Sequence, residues 1–502
     1  MRLVAFLAAG LFALTAPSAL AQPAAPAPLT FENSGAAAAQ APFLRGLGLL
    51  HNFEYPRAAE AFREAQAADP GFALAYWGEA MTYNHPVWMQ QDAVAARAVL
   101  ARLGPTREAR LARAPAGRER GLMEAVEILY GEGGKEERDR AYAAHMARLG
   151  EAHPDDVDIR AFQALSLLGL AHDGRDVRLY MRAAALLEPL LPAHPDHPGV
   201  LHYLIHSYDD PTHAPLGLRA ARRYGDVAPD APHARHMTSH IFLALGMWDE
   251  VIEANIAADA AVDALRRAAG RPAVACGHYN EWLYYALLQA GRGGDAQVLQ
   301  TACWEQVRTQ PGGIGAVFPS GVPVLSLTDM AIRGVIDSGE PLDTAFAAAL
   351  SGAHPEARFT IAYAELLTIG ADAGQVRAAR QRLIEADRAL REAPRTAPEP
   401  AYATRRRAIV LDQAEGLEAL RAGRTEAGLA ALRRAAEAER TMPAEFGPPL
   451  VEKPSFELLG DELLRLRRVT DAVPVFRTAL DLAPGRQRSS RGLAAAEDST
   501  PR

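Results

Sequence analysis

The chain has 502 residues, 49% hydrophobic, 23% charged and 7% aromatic, too long for one compact domain and too apolar for disorder. Its formal charge of -8 offers no basic surface for nucleic acid. Two cysteines exclude a disulfide-built scaffold and a Cys-rich zinc module, while 40 Gly and 35 Pro on an Ala- and Leu-rich background predict many short helices separated by breakers.

In chain order, Met1 and Arg2 precede an apolar run from Leu3 to Leu14, then Ala19-Leu20-Ala21. A charged start, a short apolar segment and a small-x-small end read as a secretory signal over 1–21. The expectation is export by the Sec route and a periplasmic mature protein. Residues 22–40, rich in Pro and Ala, read as a flexible leader. No later stretch approaches about 18 apolar residues, so no transmembrane segment is expected.

Repeats follow. Leu44 to Pro70 reads LRGLGLLHNFEYPRAAEAFREAQAADP, with Ala58, Phe62, Ala65 and Pro70 punctuating a helix pair. PSFELLGDELLRLRRVTDAVPVFRTALDLAP repeats the scheme with Leu459-Gly460, Ala472, Phe476, Ala479 and Pro484. Further stops fall at Pro154, Pro195 and Pro229, and turns at Gly246-Met247-Trp248 and Gly291-Arg292. The pattern resembles the tetratricopeptide repeat, a helix–turn–helix unit of about 34 residues. That resemblance implies an all-α solenoid of helical hairpins, a right-handed superhelix with no β-sheet, and roughly eight to ten repeats. Its boundaries are an N-terminal solenoid over 41–310, a Gly/Pro-rich break over 311–325, a C-terminal solenoid over 326–485, and a terminal helix and tail over 486–502. Such arrays usually hold a peptide or protein partner in a concave groove.

The histidines fall in register. His202 and His206 lie in HYLIH, His236 and His240 in HMTSH, each pair spaced i,i+4 so that both imidazoles leave one helix face. Pro195 and Pro229 set the frame, and the second pair follows the first by 34 residues. The resemblance implies that these places face the groove, bringing four imidazoles to one space. His278, with Glu281 and Tyr285, takes groove-facing places of the next repeat, and His233 a groove-facing place of its own. Asp209, Asp210 and His213 follow the first pair. His51 and His85, also 34 apart, sit beside Tyr55 and Trp88.

Neutral imidazole is the commonest nitrogen ligand for zinc and copper. The expected metal ligands are His202, His206, His236, His240 and His278, with Cu or Zn as the ion. A nearby carboxylate could orient an imidazole or act on bound water, which leaves a metalloenzyme open. Two other readings stand beside this one: a polar groove for a peptide or envelope protein, and histidines with structural roles only. His145, His153, His172, His194, His197 and His354 read as surface or capping residues. HExxH, Gly-x-Ser-x-Gly and Walker motifs are absent, against the commonest hydrolase and nucleotide chemistries. The phrases HYLIHSYDDP and HMTSHIFLALGMWDE resemble those of a group of exported bacterial tetratricopeptide proteins of poorly defined role. Every histidine but His354 precedes Pro311, which places any centre before that residue and leaves the later repeats to extend and cap the solenoid. Cys276 and Cys303 sit on one expected hairpin, either bridged or as two inert thiols.

Overall fold

The computed structural model describes residues 29–318, 322–394, 399–443 and 446–499. The expected signal over 1–21 lies outside the described residues. Within the expected leader, ordered packing has begun by Phe31, whose ring meets that of Phe43 at 5.3 Å. Ser34 then bonds the Glu119 carboxylate, and the first helix starts at Ala37.

Among the described residues the fold comprises 24 α-helices, most paired with their neighbour in sequence. The early hairpins are Ala37–His51 with Tyr55–Ala68, Ala73–Met81 with Ala93–Leu103, and Val157–Leu168 with Val177–Leu187. The central ones are Pro198–Tyr208 with Ala214–Val227, Pro232–Ala244 with Trp248–Ala268, and His278–Gln289 with Gly293–Thr309. After a turn-rich segment the pattern resumes at Pro323–Ser338 and continues through Pro355–Thr368 with Ala373–Glu392, Ala401–Arg421 with Thr425–Arg440, and Ser455–Arg465 with Val469–Leu482. The fold is the all-α, tetratricopeptide-type solenoid that the repeats imply. Among the described residues it departs from helix in a two-residue ladder pairing Asn84–His85 with Gln90–Gln91, where Pro86 and Met89 turn the chain too tightly for α-helix.

Small residues at the helix crossings explain the repeat pattern. A Cβ placed on Gly46 or Gly78 would stand 2.9 or 2.3 Å from the Phe62 ring, and on Gly460 or Gly492 2.6 or 2.4 Å from Phe476. Each aromatic therefore fills a slot that only glycine on both adjoining helices leaves open.

The buried core forms two clusters that meet in one helix. Leu327 and Met330 of Pro323–Ser338 belong to the first, and Ile332, Val335 and Ile336 to the second. The C-terminal end then returns onto the central hairpins. Trp248 Nε1 donates to the Gly485 carbonyl at 3.0 Å, Arg486 to Tyr285 Oη at 3.1 Å, and the Gln487 amide to Gln289 at 3.0 Å.

Cys276 and Cys303 are bridged, with their Cα atoms 4.6 Å apart. No helix among the described residues is long and apolar enough to cross a membrane.

Candidate metal centre

Two helices carry proline in their first turn, Pro198 and Pro232. Proline fixes φ there without wasting a hydrogen-bond donor, so both helices start at the same repeat position. They pack side by side and direct His202, His206, His233, His236 and His240 into one space, which His278 enters from the start of the next first helix. The rings form a continuous cluster, with centroids 4.8 Å apart for His202 and His206, 4.9 Å for His236 and His240, and 4.6 Å for His236 and His278.

The space is not an open groove. His202 and His236 are fully buried, and His206 and His240 are 2% and 5% exposed. Phe53 packs on His202, His206 and His233. Trp282 packs on His236, His240 and His278. Phe446, from the C-terminal half, meets both His206 and His240. The imidazoles all precede Pro311, but one wall of their chamber comes from beyond it.

Hydrogen bonding fixes which nitrogen carries the proton. His202 Nδ1 is 2.6 Å from the His51 carbonyl, which only accepts, so Nδ1 donates and Nε2 keeps its lone pair. Asn255 gives its Nδ2 proton to the Val251 carbonyl, so its Oδ1 accepts from His236 Nδ1 at 2.7 Å. His240 Nδ1 donates to the Asp209 carboxylate. Three Nε2 lone pairs thus point inward from rings anchored through Nδ1, the arrangement that orients histidine ligands in metal sites.

Little inside meets them. His202 Nε2, His233 Nε2 and both nitrogens of His206 have no hydrogen-bond partner. The ligand atoms of His202, His206 and His233 lie within 4.8 Å of one another. His236 Nε2 stands 3.1 Å from His240 Nε2 and 3.0 Å from His278 Nε2, although both His236 and His240 have already committed their proton to Nδ1. Ligand nitrogens at about 2.0–2.1 Å from a shared zinc ion are about 3.3 Å apart, so these separations suit a cation between the rings. Burial first, and neighbouring imidazoles second, push His202, His206, His233 and His236 well below the ordinary histidine value. His278 is lowered to about 4 by the same two causes. These five rings are therefore neutral and able to ligate at pH 7.

A second cluster looks similar by residue type and differs in kind. His51, Asp158 and His197 also lie within 4.8 Å of one another. Their nitrogens are all bonded: His51 Nε2 and His197 Nε2 to Asp158, His51 Nδ1 to Tyr203, and His197 Nδ1 accepting from the Val200 amide. Burial works to raise the Asp158 carboxyl, but the bonds from His197 and His51 hold it below its ordinary range. This is a closed polar network that ties the first repeat to later ones. His51 thus reaches the chamber through its carbonyl and not its ring.

The remaining residues sort by contact. Asp209 touches the chamber through His240. Asp210 binds Arg175 and His213, and Arg175 also satisfies the His206 and Ser207 carbonyls, so this group ends the His202 helix and does not face the ring nitrogens. His85 stacks on Tyr55 at 4.1 Å and bonds the Thr82 carbonyl. Tyr285 accepts from Arg486. Glu281 lines a neighbouring cavity of about 730 Å³ that reaches the chamber at His278 and Trp282; burial first, then the Asp329 charge, raise its carboxyl to about 8.

Sequence reading missed Phe53, Asn255 and Phe446. A signal existed for Phe53, which holds φ 56° at the turn where Gly246, Gly291 and Gly423 stand in other hairpins. A bulky residue with positive φ is costly, and the ring it places over three histidines gives that strain a use.

No protein-family model matches the chain, and no curated protein matches it. Among solved structures it is similar to the Cut9–Hcn1 hetero-tetramer of the APC/C, at 13% identity over 93% of this chain and 78% of that one, with a TM-score of 0.32. Yeast Tom70 aligns at 12% identity over 92% of this chain and 95% of its own, with a TM-score of 0.34. The TPR domain of P58(IPK) aligns at 13% identity over 92% and 98%, with a TM-score of 0.21. At such scores the likeness is partial, and the repeat architecture is read from the chain's own helix pairs.

Proposed function

We propose that this chain is an exported tetratricopeptide-type protein that binds a transition-metal ion, copper or zinc, through the clustered histidines His202, His206, His236, His240 and His278, joined by His233. The observation that supports this reading most is the set of inward Nε2 lone pairs, each on a ring anchored at Nδ1, in a chamber that offers them almost no hydrogen. An unmet buried acceptor costs about 1–3 kcal/mol, and a bound cation removes that cost at several atoms together. Export is supported by the apolar run and small-x-small end within 1–21, and by the bridged cysteines, which suit an oxidising compartment. The cavity beside His278 gives a small molecule a route to the ion, as a metalloenzyme requires.

Calorimetric titration of the metal-free protein with Cu²⁺ or Zn²⁺ at neutral pH should show tight binding. The double change His206→Ala with His240→Ala should abolish it while helical circular dichroism persists. Absence of heat with both ions sinks the reading. The same cavity favours a second one: with the exposed Tyr402 on its wall, it has room for side chains of a peptide or envelope protein held by a non-enzymatic scaffold. Metal analysis of protein purified without a histidine tag separates the two.

A further inference from the structure

We propose that the chamber is a paired centre that holds two transition-metal ions, the first on His202, His206 and His233 and the second on His236, His240 and His278. This rests on the metal-binding reading above.

The shortest contacts among the six rings gather around two of them, His202 and His236. Within the first set, centroid separations are 4.8 Å for His202 and His206 and 5.1 Å for His202 and His233. Within the second they are 4.9 Å for His236 and His240 and 4.6 Å for His236 and His278. Between sets they open to 6.1 Å for His206 and His240 and 6.4 Å for His233 and His236. One ion with ligand bonds of about 2.0–2.1 Å draws three or four nitrogens close and cannot serve all six rings across that gap.

Each set has its own walls and anchors. Phe53 lies over the first, 4.3 Å from His202 and 5.6 Å from His233. Trp282 lies over the second, 4.4 Å from His240 and 4.6 Å from His236. Phe446 stands between them, 5.8 Å from His206 and 6.1 Å from His240. The first set is oriented by the His51 carbonyl, the second by Asn255 and Asp209. The unmet chemistry also differs. In the first set His202 Nε2, His233 Nε2 and both His206 nitrogens have no partner at all. In the second, lone pairs on His236 and His240 face each other at 3.1 Å, and the one proton that His278 Nε2 could supply to His236 leaves His240 Nε2 unsatisfied. Filling either set therefore leaves the other still short of a cation. Three imidazole nitrogens per ion, gathered within 4.8 Å of one another in the first set and arranged around His236 Nε2 in the second, leave a coordination position open on each, and ions that accept such sets are those that prefer imidazole, copper and zinc among them.

The test uses the full chain, stripped of metal and titrated with Cu²⁺ alone, then with Zn²⁺ alone, with bound metal counted by mass spectrometry after gel filtration. The expected count is two per chain. His202→Ala with His233→Ala should reduce it to one, as should His236→Ala with His278→Ala. A count of one that either double variant abolishes overturns the paired centre while leaving metal binding intact; a count of zero removes metal binding itself. Because a double variant can fail to fold, electron paramagnetic resonance of the copper-loaded wild-type protein supplies an independent arm. Copper ions in adjacent sets broaden or quench each other's signal. Sharp, isolated spectra that integrate to all the bound copper overturn the proposal.

Discussion

His236 illustrates how one amide sets the chemistry of a ring. Asn255 can only accept from it, because its own donor is spent on the Val251 carbonyl. Replacing Asn255 with Leu removes that acceptor and lets the His236 proton move to Nε2, the ligating atom. Loss of such an outer partner typically lowers metal affinity about 10–100-fold, and Asn255→Leu should do so with the folded helix content unchanged. Competition against a chelator of known affinity measures it; an unaltered constant would show that the tautomer is set elsewhere. Acid acts on the same residues. Unfolded, these imidazoles titrate near 6.5, whereas in the fold burial, and then their neighbours, depress His202, His206, His233 and His236 well below that value and His278 to about 4. Between those values the unfolded chain binds more protons, so metal-free stability is complete above pH 6.5 and falls as pH drops toward 4. Thermal melts of the metal-free protein should show that slope, shared by several histidines. A flat melting temperature from pH 7 to 4.5 would mean the rings are already solvated.

At the scale of the helix, the i,i+4 histidine pairs and their 34-residue offset were legible because repeat period and helical period are both local properties of the chain. The Pro198 and Pro232 starts make that register physical, and the rings do converge. What was not legible depends on partners far away in sequence. His51 reads like its repeat-mate His85, yet its ring is held by Asp158, 107 residues on, and Tyr203, 152 residues on. Gly199 is a related case. A Cβ there would stand 2.4 Å from His51 Nδ1, so Gly199→Ala should shift the ring, disturb the carbonyl that orients His202, and cost about 1–3 kcal/mol. Chemical denaturation measures the loss, and a neutral result would show that the network relaxes freely. The bridge across the Cys276–Cys303 hairpin was open in the sequence because spacing alone cannot fix a Cα separation. With the cysteines 27 positions apart in sequence, chain entropy gives the bridge about 3 kcal/mol. Reductant should lower stability by that order, and alkylation without reductant should label no thiol.

A simple solenoid is stabilised only between neighbouring repeats, and that rule predicts a C-terminal half remote from the histidines. The chain departs from it. Trp248 reaches Gly485 across 237 residues, Arg486 reaches Tyr285 across 201, and Phe446 enters the chamber between His206 and His240. Periodicity gives no sign of this return, because it depends on how small rotations accumulate over many hairpins. The return makes Phe446 a wall shared by the two halves, with Gly447 behind it so close to Trp282 that a Cβ would lie 2.4 Å from the indole. Phe446→Ala removes no ligand, so the number of bound ions should stay as in the wild-type protein. It opens the chamber to water, however, and should cost about 1–3 kcal/mol, below the usual loss for a fully enclosed phenylalanine. Bound metal should then pass to a chelator faster than in the wild-type chain, with the binding stoichiometry unchanged. Should the release rate stay the same while stability falls, Phe446 is packing alone, and ions leave by the cavity at His278 and Trp282.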